Sequence, residues 1–299
     1  MNGKAKIVFD EGNSIDGYFK DGVLHGFGRY FDEKGRLTFA GHHKSGSASG
    51  VCWRVIRGGG CIVGKVDCHG HLTGDNIAYI YPDYQTALLG TFENGVLIEA
   101  RQSEVVGVKE DVTGVLVPEL SKPWGKVHVR QSSLDTKFGL HPTLRDPYES
   151  RMVEIQGSEI EGAAEGLFAL QDIEVNTVVA FYNGCKANLE DYDPETWETN
   201  NYKIFDPKDM PDGTIDIPVW AQVRKRYFKP FTNLNFQSSS AYCATLAHKT
   251  NHSFLPNSQF LIFDHPKYGL IPCISTSADV SKGEEVRMIL RIGYQEILF

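Results

Sequence analysis

Short apolar stretches separated by glycine and polar residues predict strands throughout the first hundred residues. Four of these stretches are rich in aromatic and β-branched residues, and they lie at residues 17–19, 27–31, 51–56 and 77–81. Glycines recur between them with a nearly constant spacing of 24, 23 and 26 residues, at Gly17, Gly41, Gly64 and Gly90. Further glycines follow about five and about nine residues later, so this half of the chain is predicted to be a repeat.

Each repeat is predicted to be one β-hairpin. The dipeptides Asp21-Gly22 and Asn94-Gly95 favour the positive φ angles that tight hairpin turns need. A single hairpin cannot bury its apolar face, so successive hairpins are expected to stack into one elongated sheet. Residues 12–99 therefore resemble the MORN repeat, in which Tyr-x-Gly is followed by an aromatic residue, Asn/Asp-Gly and a further glycine. The alternative is that the glycines punctuate an ordinary all-β domain.

Residues 100–148 lose this spacing, and we interpret them as a connector that contains strands. Runs of β-forming residues alternate there with prolines, and Asp146-Pro147-Tyr148-Glu149 is typical of a turn at a domain boundary. A second domain is predicted over residues 149–299. The fold class is expected to be mainly β.

Composition limits the classes of protein that the chain can belong to. Its 299 residues suffice for two modest domains, and 41% apolar with 23% charged residues is ordinary for a globular protein. The net charge of −8 does not supply the basic field that nonspecific nucleic-acid binding needs, so a basic protein tail is the expected partner rather than DNA. Neither a bilayer-length apolar run nor a secretory signal is found, which predicts a protein inside the cell without a membrane span. The cysteines lack paired spacing, and Cys68-His69-Gly70-His71 does not match the usual spacing of zinc ligands, so no metal is expected.

Residues that could bind a ligand or take part in catalysis lie in three fragments of the second half of the chain. Residues 161–168 form a run of small residues that leads into an apolar strand, where the backbone can approach a ligand closely, although a plain turn explains the run equally well. The second fragment is Phe181-Tyr182-Asn183-Gly184, at the end of an apolar strand. Taken alone, Tyr182 is interpreted as a core aromatic residue with a satisfied hydroxyl.

The third fragment, residues 247–257, is the most specific. His248 and His252 stand four residues apart and suggest a metal pair on a helix, but Lys249 occupies the place of the general-base Glu of a zinc protease, and a proline stop follows. The metal interpretation therefore fails. Instead, Asn251-His252-Ser253 followed by Pro256-Asn257 matches the SET-domain signature Asn-His-Ser-x-x-Pro-Asn.

The order and spacing of all these fragments, with Gly283-Glu284-Glu285 after them, also match the SET domain. With the hairpin repeats in front, the chain resembles the MORN-repeat SET-domain histone-lysine N-methyltransferases of the type that monomethylates lysine four of histone three. The resemblance implies a knotted β-fold, S-adenosyl-L-methionine as methyl donor, and a histone tail peptide or another lysine-containing protein as partner. It also implies a monomer in the nucleus, at chromatin, with the cytoplasm as a second location and without direct sequence-specific nucleic-acid binding.

The resemblance assigns roles residue by residue. The cofactor is expected to contact Ala163, Ala164, Glu165, Asn251 and His252. Catalytic roles fall to Tyr182 and His252, and the channel for the substrate lysine is expected to include Tyr182, Phe260, Asp193 and Tyr294. Phe260 stands where the family has a channel tyrosine, which implies room for higher methylation states.

The sequence departs from the family pattern in two places. A longer connection between Val219 and Ala241 carries Arg224-Lys225-Arg226, interpreted as a solvated loop insertion, with nuclear import or peptide docking as alternatives. After Glu285 the family continues through Ala-Tyr-Gly-Tyr into a closing helix, whereas this chain retains only Gly293-Tyr294. Two hypotheses follow, an active lysine methyltransferase and a truncated or catalytically impaired relative that acts as an interaction scaffold.

Overall fold

The computed structural model describes residues 1–110, 116–131, 144–187, 214–216 and 244–289. The chain divides into two compact units, Met1–Gln131 and Ser132–Phe299. Three of the features singled out in the sequence lie outside the described residues, namely Asp193, Tyr294 and the basic insertion at Arg224-Lys225-Arg226. No helix among the described residues is both long and apolar enough to cross a membrane.

The described part of the first unit is an 11-stranded sheet in which each of the first nine strands pairs antiparallel with the next. The strands are β1 (Gly3–Val8), β2 (Ser14–Lys20), β3 (Val23–Phe31), β4 (Leu37–Lys44), β5 (Ser47–Val55), β6 (Cys61–Lys65), β7 (Gly74–Ile80), β8 (Thr86–Glu93), β9 (Val96–Glu110), β10 (Leu116–Leu120) and β11 (Trp124–Val129). The last of them, β11, pairs with β9. The predicted sheet of successive hairpins is confirmed.

The glycine spacing has a direct structural cause. A Cβ atom added at Gly17 would lie 2.7 Å from a side-chain carbon of Leu24, and one added at Gly64 would lie 2.8 Å from Ile77. Gly41 and Gly90 are equally crowded by the strand beside them. Neighbouring strands therefore approach closely at one point in each repeat, and only glycine leaves the space.

Two of the hairpins turn as predicted. Asp21 and Gly22 have φ angles of 51° and 82°, and Asn94 and Gly95 have φ angles of 51° and 74°. The sheet extends beyond the residues predicted as repeats, because β1 precedes residue 12 and both β10 and β11 follow residue 99. The domain boundaries drawn from the sequence stay a prediction.

The second unit is also built mainly from strands. Its described elements are α1 (Glu149–Met152), β12 (Val153–Gly157), β13 (Glu165–Ala169), β14 (Val178–Phe181), β15 (Cys185–Ala187), β16 (Thr214–Asp216), a 3₁₀ turn (Ala247–Lys249), β17 (Asn251–His252), β18 (Ser258–His265), β19 (Gly269–Thr276) and β20 (Glu285–Met288). Within the described residues, six strands form a sheet in the order β12-β13-β20-β18-β19-β14, and β17 joins it alongside β20. The mainly β fold class is confirmed for this unit as well.

The core of the second unit lies where β14, β18 and β19 meet. Phe181, Phe263 and Ile271 are fully buried there, and the rings of Phe181 and Phe263 lie 4.8 Å apart. Burial of such side chains is the main stabilising contribution to this unit. The same packing fixes the end of β14, which leads directly into Tyr182.

Candidate active site

The strand β20 organises the site, because chain segments from both ends of the signature fragment pair with it. Asn251 and His252 pair parallel with Arg287 and Met288, and Ser258 at the start of β18 also pairs parallel with Met288. Between them the chain passes through Pro256, which cannot donate a backbone hydrogen bond to a strand partner. The two ends of the segment 251–258 are therefore both held by the last residues of β20.

The side chain of Asn257 binds this segment to the backbone of β20 through two hydrogen bonds, as a peptide group would. Its Nδ2 atom donates to the carbonyl oxygen of Glu285 at 2.9 Å, and its Oδ1 atom accepts from the amide of Arg287 at 2.8 Å. A side-chain amide has the same donor and acceptor as a backbone peptide group, which explains why asparagine suits this position. Asn257 is buried, so the two bonds are shielded from water.

Asn251 ties β17 to the small-residue loop. Its Nδ2 atom donates to Oε1 of Glu285 at 2.7 Å and to the carbonyl oxygen of Glu165 at 2.9 Å, and it lies 3.2 Å from Oγ of Ser158. Ser158 Oγ in turn donates to the Glu285 carboxylate, at 2.9 and 3.1 Å from its two oxygens. The amide nitrogen of Asn251 is thus committed to the protein, and Oδ1 is the atom of its side chain that can accept a hydrogen bond from a ligand.

Gly166 allows this cluster to form. A Cβ atom at Gly166 would lie 2.8 Å from the carboxyl carbon of Glu285 and 3.1 Å from Nδ2 of Asn251. No other residue fits beside these two side chains without displacing them. Neither Ser158 nor Glu285 was singled out in the sequence as a site residue, since only their meeting in the fold shows what they do.

The small-residue loop ends at a pair of opposite charges. Ala163 is half-buried and Ala164 is exposed, and Glu165 follows at the start of β13. The Nζ atom of Lys249 lies 2.8 Å from Oε2 of Glu165, and the exposed fractions of the two side chains are 13% and 33%. Lys249 served in the sequence only to exclude a protease, so its pairing with Glu165 is a functional feature that sequence reasoning missed.

Three aromatic side chains converge at the end of β14. The Tyr182 ring lies 6.4 Å from the His248 ring at an interplanar angle of 87° and 6.2 Å from the Phe260 ring at 72°. Tyr182 and His248 are buried, and Phe260 is half-buried. These edge-to-face contacts are the arrangement that aromatic pairs prefer. Two of the predicted channel residues, Tyr182 and Phe260, are therefore brought together, and His248 joins them.

The His248 imidazole packs against Tyr182 in an uncharged form. Burial lowers the pKa of the His248 imidazole to about 3, and the positive charge of Lys249 acts in the same direction. The imidazole therefore carries no charge near neutral pH.

His252 lies in a different environment from Tyr182. It is exposed, and its ring packs edge to face against Phe254, with 5.0 Å between the ring centres. Phe254 is itself 88% exposed. Among the predicted site residues the structure thus groups Glu165 with Asn251 and Tyr182 with Phe260, while His252 stands at the surface beside the first group. Within the described ranges no cluster of three or more His, Cys, Asp or Glu side chains could hold a metal ion.

Comparison with known proteins gives two domain matches and a related enzyme. Residues 43–114 match the family described as Histone H3 K4-specific methyltransferase SET7 N-terminal, and residues 164–288 match the SET domain. The chain is 36% identical over 262 residues to Histone-lysine N-methyltransferase SETD7 of Halocynthia roretzi, across 86% of this chain and 62% of that protein. The chain thus spans less than two thirds of the length of this curated relative.

Proposed function

We propose that this chain, whose residues match the SET7 N-terminal family and the SET domain, is an S-adenosylmethionine-dependent protein-lysine N-methyltransferase that acts on a histone tail. The name of the relative from Halocynthia roretzi supports this activity. The observation that carries the proposal is the turn Ala247–Lys249, because its neighbouring residues His248 and Lys249 reach two different groups. His248 packs on Tyr182, and Lys249 pairs with Glu165. One rigid turn thus connects a charged pair with an aromatic cluster.

The charged pair fits the methionyl part of the cofactor. That part is a zwitterion, with an ammonium group that would pair with the Glu165 carboxylate and a carboxylate that would pair with the Lys249 ammonium. Ala163 and Ala164 carry no bulky side chains, so their backbone can approach the ligand. Binding would therefore replace the direct contact between Glu165 and Lys249 with two ion pairs to the ligand.

When bound, the cofactor supplies a methyl group on a sulfonium that carries its own leaving group. The protein then has to hold a neutral lysine amine in line with that methyl group and to exclude water. The cofactor would supply the methyl group and leave as a neutral thioether that keeps the electron pair of the carbon–sulfur bond, while Glu165 and Lys249 would hold the cofactor and Tyr182 would hold the amine. The chain needs no strong base of its own for this step.

Tyr182 would orient the amine. Its ring forms one wall of the aromatic cluster, and its hydroxyl can accept a hydrogen bond from the amine. The neutral His248 ring adds no positive charge that would compete with an incoming lysine. Phe260 has no hydroxyl, so its side of the cluster offers no second hydrogen bond to hold the amine in one orientation. The proposal therefore includes products beyond the monomethylated lysine.

A basic protein tail suits the charge of the chain. The net charge of −8 favours a cationic peptide over a nucleic acid as the direct partner. We place this activity at chromatin in the nucleus, with the cytoplasm as a second location.

Calorimetry with S-adenosylmethionine, followed by a radiolabel transfer assay on a histone-tail peptide, tests the proposal. We expect Lys249→Gln to weaken cofactor binding by about tenfold or more, because it removes one charge of the pair. Lys282→Gln is the matched control, since Lys282 is an exposed lysine of the same unit. Absence of binding heat at about millimolar cofactor would refute the proposal, given that the weakest affinities worth calling specific lie near that range. Binding without transfer to any peptide would instead support a noncatalytic interaction protein.

A further inference from the structure

Side chains join two of the three chain segments that form the aromatic cluster. Residues 181–183 contain Tyr182, and residues 244–250 contain His248. The Oε1 atom of Glu149 accepts hydrogen bonds from the amide of Phe181 and from the amide of Leu246, each at 2.8 Å. One carboxyl oxygen therefore bridges the residue before Tyr182 and a residue two positions before His248.

A second bridge joins the same two segments. The amide of Asn183 donates to Oγ1 of Thr245 at 3.1 Å. Asn183 and Thr245 are both buried, so water cannot readily replace the lost partner if either bridge is removed. The residues on both sides of Tyr182 are thus fixed to the segment that carries His248.

The bridging residue is buried, and its backbone is held by Asp146. Glu149 is 1% exposed at the start of α1, and Oδ1 of Asp146 accepts from the amides of Tyr148 and Glu149, at 3.0 and 2.9 Å. Burial raises the pKa of Glu149 well above its usual range, and the nearby charge of Asp146 adds to this effect. Whatever its protonation state, the oxygen that accepts both amide bonds is the atom that joins the two segments.

We propose that Glu149 is a positioning residue for methyl transfer, which sets the spacing between Tyr182 and His248 in the aromatic cluster. This inference rests on the proposed function. The bridge touches only backbone amides, so Glu149 acts on the substrate amine through Tyr182 and not by contact. In-line transfer depends steeply on geometry, and a displacement of about 1 Å can lower the rate about a hundredfold.

The test compares three variants with a control of similar burial. Glu149→Gln keeps a carbonyl oxygen at the bridging position, Glu149→Ala removes it, and Thr245→Val removes the second bridge without changing side-chain size. Val280→Ala is the control, because Val280 is a buried residue that pairs with Ile173 and belongs to neither segment. Each protein is assayed as the full chain for kcat, for cofactor KM and for the ratio of methylation products.

For Glu149→Ala we expect kcat to fall about 10- to 100-fold with an altered product ratio, and cofactor KM to change by a smaller factor because Lys249 lies on the same segment. Glu149→Gln should retain wild-type values, and Thr245→Val should show a smaller change in the same direction. Val280→Ala should lower only the melting temperature. The inference is overturned if Glu149→Ala matches Val280→Ala in kcat and product ratio, or if Glu149→Gln fails to retain them. If Glu149→Ala does not fold, an unchanged kcat and product ratio in Thr245→Val overturns it.

A readout independent of catalysis separates this inference from the proposed function. Amide hydrogen exchange at Phe181 and Leu246, with the nuclear magnetic resonance signal of the Tyr182 ring, reports the bridge directly. We expect faster exchange and a shifted ring signal in Glu149→Ala, but neither in Glu149→Gln. An unmoved ring signal in Glu149→Ala refutes the positioning role even if the protein methylates lysine. Conversely, a chain without methyltransferase activity refutes the proposed function, and the ring signal still decides whether Glu149 positions Tyr182.

Discussion

Replacing Gly166 with alanine would place a new Cβ atom 2.8 Å from the carboxyl carbon of Glu285, closer still to its Oε1 atom, and 3.1 Å from Nδ2 of Asn251. Carbon atoms at rest lie about 3.5–4.0 Å apart, so the Glu285 carboxyl group has to move by about 1 Å or more. The Glu285 side chain has little freedom to do so. It is 8% exposed and accepts hydrogen bonds from Ser158 and Asn251.

The size of the effect follows from those hydrogen bonds. A hydrogen bond to a charged group contributes about 1.5–3 kcal/mol, and an extra methyl group in a packed site costs about 1–3 kcal/mol. If the carboxyl group moves, the clash is relieved but the hydrogen bonds are lost, and if it stays, the clash remains. The loss of the hydrogen bonds and the cost of the clash are therefore alternatives and do not add. We expect Gly166→Ala to lower the free energy of unfolding by about 3 kcal/mol. We also expect cofactor affinity to fall about tenfold or more, because Asn251 and the Ala163–Glu165 loop lose their common anchor.

Urea denaturation and calorimetry with S-adenosylmethionine measure these two effects, and the chain offers a matched control. Gly157 lies in β12 beside β13, a Cβ atom there would meet nothing within 4 Å, and its φ lies outside the left-handed region. Gly157→Ala should therefore change the free energy of unfolding by no more than about 0.5 kcal/mol. In the double variant Gly166→Ala/Glu285→Ala, the added methyl group should cost little, because the carboxyl group that it strikes is gone. Equal effects of Gly166→Ala and Gly157→Ala, or full additivity in the double variant, would refute the reasoning.

Three further predictions concern the aromatic cluster. Phe260→Tyr adds a hydroxyl beside Tyr182 and should shift the products on a histone-tail peptide toward monomethyl-lysine, as mass spectrometry would show; an unchanged product ratio would remove Phe260 from the channel. Tyr182→Phe should lower kcat about tenfold or more or raise the methylation state, and a variant with wild-type kinetics and products would contradict its role. Burial lowers the pKa of His248 to about 3 in the folded protein, whereas it is about 6.5 in the unfolded chain. Between these two pH values only the unfolded state is protonated at His248. The free energy of unfolding therefore decreases as the pH falls below about 6.5. Between about pH 7.5 and about pH 5 the wild type should lose about 2 kcal/mol more free energy of unfolding than His248→Phe, and equal losses in urea denaturation would contradict this.

The hairpin sheet could be predicted because its causes are local and repeat along the chain. Asp21-Gly22 adopts the positive φ angles that its residue types favour, and each period glycine marks a close approach of adjacent strands. The glycine spacing could not predict that β9 runs on to Glu110 or that β10 and β11 pair with it. Those pairings depend on partners further along the chain.

The candidate site was predictable to the extent that its residues lie in one fragment. Asn251 and Asn257 belong to a recognisable signature, and the structure explains both through their hydrogen bonds with residues of β20 and of the small-residue loop. The bond between Ser158 and Glu285 joins residues 127 positions apart, and serine and glutamate are common surface residues. Only the fold shows that Gly166 leaves room for Glu285 and that Lys249 lies beside Glu165.

The segment Asp146–Glu149 shows most clearly where residue types mislead. Asp and Pro are typical of exposed turns, yet Asp146 and Glu149 are 0% and 1% exposed. Buried carboxyl groups are tolerated only when they are paired, hydrogen-bonded or neutral, and this cluster uses each of these solutions. His265, 119 positions away, has its pKa lowered by burial and donates from Nε2 to Oδ2 of Asp146 at 2.9 Å. Burial lowers the pKa of Lys267 to about 8, and the negative charge of Asp146 opposes this shift. Burial raises the pKa of Glu149 well above its usual range, which favours its neutral form. No single charge in this cluster could be buried alone, so the burial of Asp146 and Glu149 depends on partners that lie far away in the sequence. The same is true of the hydrogen bond from the amide of Phe181, the residue before Tyr182, to Glu149.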